Sequence, residues 1–148
     1  MICLRYASGK MEAEDMLQEG LISIFKELKQ YDSGKASFAA WSNKVMVNAA
    51  LQHLRKWKKL KFHDELDQVS GRSYPEEDVF EKLGAKEITA MVQKLPDGYR
   101  TIFNLYVLEG YKHREIAELL SISENTSKTQ LLKAKRMLRS QLETVLQY

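Results

Sequence analysis

Apolar side chains recur every three or four residues through most of this chain, which is the spacing of amphipathic helices. Between Lys10 and Leu28 this spacing predicts one helix. Its expected buried face consists of Leu17, Leu21, Ile24, Phe25 and Leu28. The strict alternation that marks a strand is absent, and glycine and proline are scarce. The pattern therefore predicts an all-α fold.

A second predicted helix follows a turn over Tyr31–Lys35; it begins at Ala36 or Ser37 and continues to about Lys59. Its apolar positions fall on two sides, with Phe38, Trp41, Val45 and Ala49 on one and Val47, Leu51 and Leu54 on the other. We expect this helix to pack between neighbours, because both apolar sides need cover.

The C-terminal half begins, in this interpretation, with a helix that starts at Pro75, a residue suited to a first helical turn. Its expected buried residues are Val79, Leu83, Ile88, Met91 and Leu95. Leu95–Gly98 ends this helix, and Tyr99–Leu108 is predicted to form a short one before a turn at Glu109-Gly110.

The stretch from Pro96 to Leu142 has the pattern of a helix-turn-helix, with its core at residues 113–131. Ile116, Ala117 and Leu120 share one face of the first helix, and Ser123 can cap the second by accepting a backbone N–H. The second helix is predicted to bury Leu131, Ala134 and Leu138. Serine stands at two positions where such motifs often differ, with Ser121 in place of a turn glycine and Ser127 in place of an aliphatic residue.

The outer face of that second helix is polar and basic. It carries Asn125, Lys128, Thr129, Lys133 and Arg136. Amide, hydroxyl and cationic groups on one exposed face are what base edges and phosphates require. The competing interpretation is an ordinary helical pair with a basic surface.

A second stripe follows the Lys10–Leu28 helix on a face other than the expected core. It contains Asp15, Gln18, Glu19 and Ile22. A mixed acidic and apolar stripe suits a partner protein, although a single exposed isoleucine is also common on ordinary surfaces.

Six basic residues and no acidic one lie between positions 44 and 61. They are Lys44, Arg55, Lys56, Lys58, Lys59 and Lys61, and Trp57 stands among them. A basic helix end with an aromatic residue suits a nucleic-acid backbone. The alternatives are a membrane-surface helix and a solvated helix C-terminus, where cations offset the helix dipole.

Charge is distributed in three blocks along the chain. Residues 1–63 carry 11 Lys and Arg against 6 Asp and Glu, residues 64–93 carry 3 against 8, and residues 94–148 carry 9 against 6. Residues 62–74 also lack periodicity. We therefore predict two small helical domains, 1–61 and 75–148, joined by an acidic linker over 62–74.

Composition excludes several classes of function. The 148 residues are 44% hydrophobic and 29% charged, with no apolar run near the roughly 20 residues that span a bilayer. With no signal peptide and one cysteine, Cys3, we expect a cytoplasmic protein without membrane insertion. Scattered histidines, no glycine-rich phosphate loop and no metal-ligand spacing argue against an enzyme, a metal, a cofactor or a small-molecule substrate.

The order of short motifs resembles a bacterial sigma factor of the extracytoplasmic-function type, the small two-domain class of the sigma-70 family. The first half contributes Arg5-Tyr6, Ala13–Glu19, Phe38-Ala39-Ala40-Trp41, Asn48 and Leu51–Lys56. The second half contributes Leu95-Pro96, Tyr99-Arg100, Phe103, Glu109-Gly110, Glu115-Ile116-Ala117, Thr126, Lys128, Leu131 and Ala134. Family members usually have one more helix before the Arg-Tyr pair. The resemblance thus implies that this first helix is lacking and that residues near Leu4, Leu21 or Ile24 lose their cover.

The resemblance also implies a function, the direction of promoter-specific transcription initiation, with core RNA polymerase, promoter DNA and an anti-sigma factor as partners. The residues implied for polymerase docking are Asp15, Gln18, Glu19 and Ile22. Those implied for the −10 element and its melted strand are Lys35, Trp41, Lys44, Asn48, Arg55, Lys56, Lys58 and Lys59. Those implied for the −35 element are Arg114, Asn125, Thr126, Lys128, Thr129, Lys133 and Arg136.

The chief alternative is a helix-turn-helix transcriptional regulator whose first half is a dimerisation or sensing module. Such a regulator needs neither the acidic and apolar stripe nor the Phe38–Trp41 segment. A third interpretation is an interaction remnant whose first domain does not fold without the lacking helix.

Overall fold

A computed structural model describes residues 2–58 and 85–146, without the side chains of Lys58, Ala85, Val145 and Leu146. The described residues are mostly helical and contain no strand, as the periodicity predicts. The chain divides into two compact units, Met1–Leu60 and Lys61–Tyr148. The predicted linker over 62–74, the predicted helix start at Pro75, and Val79 and Leu83 lie outside the described residues.

Three helices form the first unit. They are α1 (Ile2–Tyr6), α2 (Lys10–Glu27), which continues as a 3-10 turn (Leu28–Gln30), and α3 (Phe38–Lys58). α2 packs chiefly against α3, and α1 packs against both. α3 begins one residue after Ser37, whose Oγ accepts the Ala40 N–H at 3.2 Å and caps the first turn, close to the predicted start at Ala36 or Ser37.

The buried face of α2 differs from the one that its apolar spacing predicts. The buried residues are Ala13, Met16 and Gly20. Of the expected core residues, Leu17 and Ile24 are only half-buried. The other three are exposed, Leu21 by 46%, Phe25 by 78% and Leu28 by 45%. The prediction is therefore wrong for three of its five residues. Small side chains let α2 approach α3 so closely that a Cβ added at Gly20 would overlap the Met46 sulfur.

α3 buries both of its predicted sides in its middle turns. Val45 and Ala49 on one side, and Val47, Leu51 and Leu54 on the other, are all buried. The first turn differs, since Phe38 is 48% exposed and Trp41 is half-buried. Both rings pack against Tyr31 in the preceding turn instead of entering the core.

The described part of the second unit contains α4 (Ala85–Gln93), α5 (Asp97–Phe103) with a π-helical turn (Asn104–Leu108), α6 (His113–Leu120) and α7 (Glu124–Leu146). α5 and α6 both pack against α7. Met91 and Leu95 are buried as predicted, whereas Ile88 is only half-buried.

The break between α4 and α5 is held by Arg100, whose side chain is almost completely buried. Its Nη1 donates to the carbonyl oxygens of Gln93 at 3.1 Å and Leu95 at 2.8 Å. Its Nη2 pairs with the Asp97 carboxylate. The guanidinium thereby satisfies carbonyls that the end of α4 leaves without helical partners.

The turn between α6 and α7 follows the predicted helix-turn-helix. Ser123 Oγ accepts the Thr126 N–H at 2.9 Å, which confirms the predicted cap. Ser121 adopts the left-handed conformation at φ 55° and ψ 47°, which explains why a glycine is common there. All the apolar residues predicted for this core are buried: Ile116, Ala117, Leu120, Leu131, Ala134 and Leu138.

Candidate functional site

A groove of about 600 Å³ separates the outer edges of α2 and α3. It is lined by Ser8, Glu12, Asp15, Gln18, Glu19, Ile22, His53 and Trp57. The structure thus brings together all four side chains of the predicted docking stripe, Asp15, Gln18, Glu19 and Ile22. We call this the docking groove.

His53 organises the acidic side of the docking groove from α3. The residue is only 6% exposed. Its Nδ1 donates to Glu19 Oε2 at 3.1 Å, and its Nε2 lies 3.9 Å from Glu12 Oε1. Ser8 fixes Glu12 in turn, because its backbone N–H and its hydroxyl donate to Glu12 Oε2 at 2.6 and 2.7 Å.

Sequence reasoning missed the α3 wall of this groove. Trp57 falls within the basic cluster and His53 within the Leu51–Lys56 motif, and neither residue is predicted to take part in docking. Both residues lie one helical turn apart on α3, and this i, i+4 spacing was the available signal. The sequence does not predict that this face of α3 lies beside the second stripe of α2, because the contact depends on how the two helices cross.

An aromatic cluster joins the Tyr31–Lys35 turn to the start of α3. The ring of Tyr31 lies 5.4 Å from that of Phe38 and 5.2 Å from that of Trp41, between centroids. The Tyr31 hydroxyl donates to the Ala36 carbonyl at 3.1 Å, and Asp32 Oδ1 accepts the Gly34 N–H at 2.8 Å. The turn is therefore held in one shape beside the half-buried Trp41.

The predicted strand-binding residues are distributed along α3 and the turn before it. Lys35, Lys44, Arg55 and Lys56 are exposed, and Trp41 and Asn48 are half-buried. The Lys56 ammonium lies 4.8 Å from the centroid of the Trp57 ring, a cation–π contact. The Lys58 side chain and all of Lys59 lie outside the described residues.

The predicted −35 residues occupy the start of α6 and the outer side of α7. Arg114, Asn125, Lys128 and Arg136 are exposed, whereas Thr126, Thr129 and Lys133 are half-buried. The Arg114 side chain lies 3.5 Å from the Glu118 carboxylate, and the Thr126 hydroxyl hydrogen-bonds Ser123 Oγ at 2.8 Å. Asn125 and Lys128 thus present exposed polar groups in the first turns of α7.

A buried polar contact lies behind this outer face. Ser127 is fully buried, and its Oγ lies 2.8 Å from His113 Nδ1 at the start of α6. The His113 ring stacks on Tyr106, with 4.5 Å between centroids. Burial lowers the pKa of His113 below its ordinary value, the positive charges of Lys128 and Lys135 lower it further, and Glu124 opposes them.

Comparison with known proteins matches both units. The family model for Sigma-70 region 2 matches residues 1–59, and that for Sigma-70, region 4 matches residues 85–138. The RNA polymerase sigma factor SigV of Bacillus subtilis (strain 168) is 31% identical over 95% of this chain and 82% of its own. This chain belongs to the sigma-70 family of RNA polymerase sigma factors.

Two further relatives refine that assignment. The ECF RNA polymerase sigma factor SigW of Bacillus subtilis (strain 168) is 28% identical over 95% of this chain and 81% of its own. The sigma factor RpoE of Bartonella quintana, solved in complex with the anti-sigma factor NepR, has the same fold. The TM-score is 0.59 at 17% identity, over 96% of this chain and 88% of that chain. The protein is a sigma factor of the extracytoplasmic-function type.

As a sigma factor, the chain binds core RNA polymerase and promoter DNA and directs transcription initiation. The alternative of a helix-turn-helix regulator is not favoured, because the first half matches Sigma-70 region 2. Sigma factors are in general regulatory proteins without enzymatic activity. None of the described helices is long and apolar enough to cross a membrane.

Proposed function

We propose that this sigma factor uses three separate surfaces in transcription initiation, one for core polymerase and two for promoter DNA. The docking groove binds core RNA polymerase through Asp15, Gln18, Glu19 and Ile22. One face of α3, with the Tyr31–Lys35 turn, holds the melted −10 strand. The outer face of α7 reads the −35 element. In this proposal residues 1–61 and 75–148 are the two functional domains, and residues 62–74 link them.

The observation that carries the proposal is the division of α3 into opposite faces. At about 100° per residue, Trp41, Lys44, Asn48 and Arg55 fall within about 60° of one another around the helix. His53 and Trp57 fall on roughly the opposite side, where they line the docking groove. Polymerase and single-stranded DNA can therefore occupy the two faces at the same time.

The chemistry of each face suits its partner. The docking groove contains three carboxylates beside the exposed Ile22, a combination that favours a basic and apolar protein segment. The DNA face of α3 carries cations for phosphates, and Trp41 offers a partly exposed ring on which an unstacked base can pack. The α7 face offers an amide and an ammonium, which suit base edges and phosphates in a major groove.

Three finer assignments belong to the same proposal. The chain works in the cytoplasm, where core polymerase and promoters are found, and it has no catalytic activity of its own. An anti-sigma factor holds it inactive. The last point is supported by the Bartonella quintana sigma factor, which shares the fold and is solved with such a partner.

Binding to purified core polymerase and run-off transcription, measured on the full chain, test the division of surfaces. Asp15→Arg/Glu19→Arg should lose core binding while the helical circular dichroism signal is retained. Lys44→Ala/Arg55→Ala should keep core binding but lose open-complex formation. Equal core binding by both variants would show that the docking assignment is wrong.

A further inference from the structure

The predicted docking residues all lie on α2, and none of the α3 residues that line the groove is among them. Trp57 lines the groove from α3, opposite the α2 side chains Asp15, Gln18 and Ile22. It is 63% exposed, and Ile22 across the groove is 54% exposed. The exposed indole and the exposed isoleucine line the same groove, and they offer a partner an apolar surface beside the carboxylates.

The position of Trp57 around α3 separates it from the strand-binding residues. Trp57 lies about 160° from Trp41 around the helix, whereas Arg55 lies within about 40° of Trp41. Lys56 covers one part of the Trp57 ring, and the rest of the side chain borders the groove. The single aromatic residue within the basic cluster therefore faces away from the DNA side of α3.

The groove is held in shape before any partner arrives. His53 is buried between Glu19 on one side and Glu12 on the other, and Ser8, just before α2, hydrogen-bonds Glu12. These contacts hold the carboxylates of Glu12 and Glu19 in the groove that Trp57 also lines. A pre-organised surface binds more tightly because less conformational freedom is lost on association.

We propose that Trp57 is an anchor of the polymerase-docking surface, and that His53 is a positioning residue that presents Glu19 to the polymerase. The occupant is a segment of core RNA polymerase with a cationic side chain next to an apolar one. Its cation pairs with Asp15 and Glu19 and packs along the indole, and its apolar neighbour contacts Ile22 and Trp57. This inference rests on the proposed docking function and extends it to α3.

The test is the affinity of the full chain for core polymerase in the absence of DNA. Trp57→Ala should weaken binding about tenfold or more, as expected for an aromatic anchor that the partner buries, and Trp57→Phe should weaken it less. Gln52→Ala is the matched control. It removes an exposed side chain about 140° around α3 from Trp57 and should leave the affinity within about twofold.

The positioning role of His53 is tested by a double-mutant cycle with Glu19 in the same assay. If His53 acts by presenting that carboxylate, His53→Ala should weaken binding in the wild-type background and have little added effect in Glu19→Ala. A general structural role would instead give additive losses in both backgrounds. Thermal melts of each variant report whether the unit remains folded.

The outcomes separate this inference from the docking assignment. If Asp15→Arg/Glu19→Arg abolishes binding but Trp57→Ala stays within twofold, docking stands and the anchor role is overturned. If neither change weakens binding, both are overturned. Hydroxyl-radical footprinting of the wild-type chain gives a measurement without mutation, because core polymerase should lower the oxidation rate of Trp57 severalfold. An unchanged rate would overturn the anchor role.

Discussion

His113 and Ser127 join α6 to α7 through a hydrogen bond of 2.8 Å between the imidazole Nδ1 and the buried serine Oγ. The pair stands where a helix-turn-helix often packs apolar side chains. Because Ser127 is buried on the inner side of α7 and Lys128 follows it on the exposed side, this contact helps to fix which side of α7 is exposed. Because the fold lowers the pKa of His113, the titration of this residue links the stability of the motif to pH.

We expect the second unit to lose stability in mild acid through His113. Its pKa is lowered in the folded chain, so the unfolded chain binds more protons once the pH falls below about 6.5. The stabilisation is thus present at neutral pH and is lost as the pH falls toward the folded-state pKa. Urea unfolding at pH 7 and pH 5.5 measures this change.

His113→Gln is the control for that measurement, because it removes the titration while retaining polarity. The wild type should lose more unfolding free energy between the two pH values than the variant does. Identical pH dependence in both proteins would contradict the assignment of this acid sensitivity to His113.

Ser121→Gly should stabilise the chain by about 0.5–1 kcal/mol. Ser121 is held at φ 55°, where a side chain is strained by about 1–2 kcal/mol, and the greater freedom of glycine in the unfolded state offsets part of the gain. Ser140→Gly, in the exposed middle of α7, should instead destabilise by up to about 1 kcal/mol. Chemical denaturation of the two variants should therefore show shifts of opposite sign.

Lys128→Ala should weaken binding of the holoenzyme to the −35 element. A lost base contact would cost about 1–3 kcal/mol and change the preferred sequence, whereas a lost phosphate contact would weaken all sequences alike. Selection from promoters randomised in this element distinguishes the two. The recognition role is wrong if Lys128→Ala enriches the same sequence with the same affinity.

Leu131→Ala should lower the stability of the helix-turn-helix, whereas Lys128→Ala should weaken only its binding to DNA. Leu131 is buried in the core of the helix-turn-helix, and its truncation should cost about 2–5 kcal/mol of unfolding free energy. Hydrogen exchange of α6 and α7 should therefore accelerate in this variant and remain unchanged in Lys128→Ala. Unchanged exchange in Leu131→Ala would contradict its place in the core.

Arg55→Ala and Lys56→Ala should each reduce the slope of log affinity against log salt concentration for the open complex by about 1, because each change removes one phosphate contact. The effect should be similar on every promoter, because phosphate contacts carry no sequence information. Lys10→Ala removes the same charge from α2, away from the DNA face of α3, and should leave the slope unchanged. Neutral results for Arg55 and Lys56 would indicate an ordinary solvated helix end.

Local signals explain what could be predicted from the sequence. Ser37 and Ser123 mark helix starts by their own hydroxyls, and the apolar spacing of the helix-turn-helix admits one buried face. The helix starts, the turn between α6 and α7 and the buried face of the helix-turn-helix depend on interactions between residues close in sequence. The sequence therefore suffices for these parts.

The face that α2 buries and the second wall of the docking groove depend on how two helices cross. Leu21 and Phe25 form a larger apolar stripe than Ala13 and Gly20, but only the smaller side chains permit the close approach to α3. That approach in turn brings His53 beside Glu19. Periodicity counts apolar positions around one helix and carries no information on the distance between two.

Arg100 gives the joint between α4 and α5 a property that the helix-turn-helix lacks. A guanidinium keeps its proton wherever proteins remain folded, and the carbonyl oxygens of Gln93 and Leu95 do not titrate. These two hydrogen bonds therefore persist in acid, whereas the His113 ring gains a charge that its burial and Lys128 disfavour. Acidification should therefore weaken the packing around His113 while leaving these two hydrogen bonds at the α4–α5 corner unchanged.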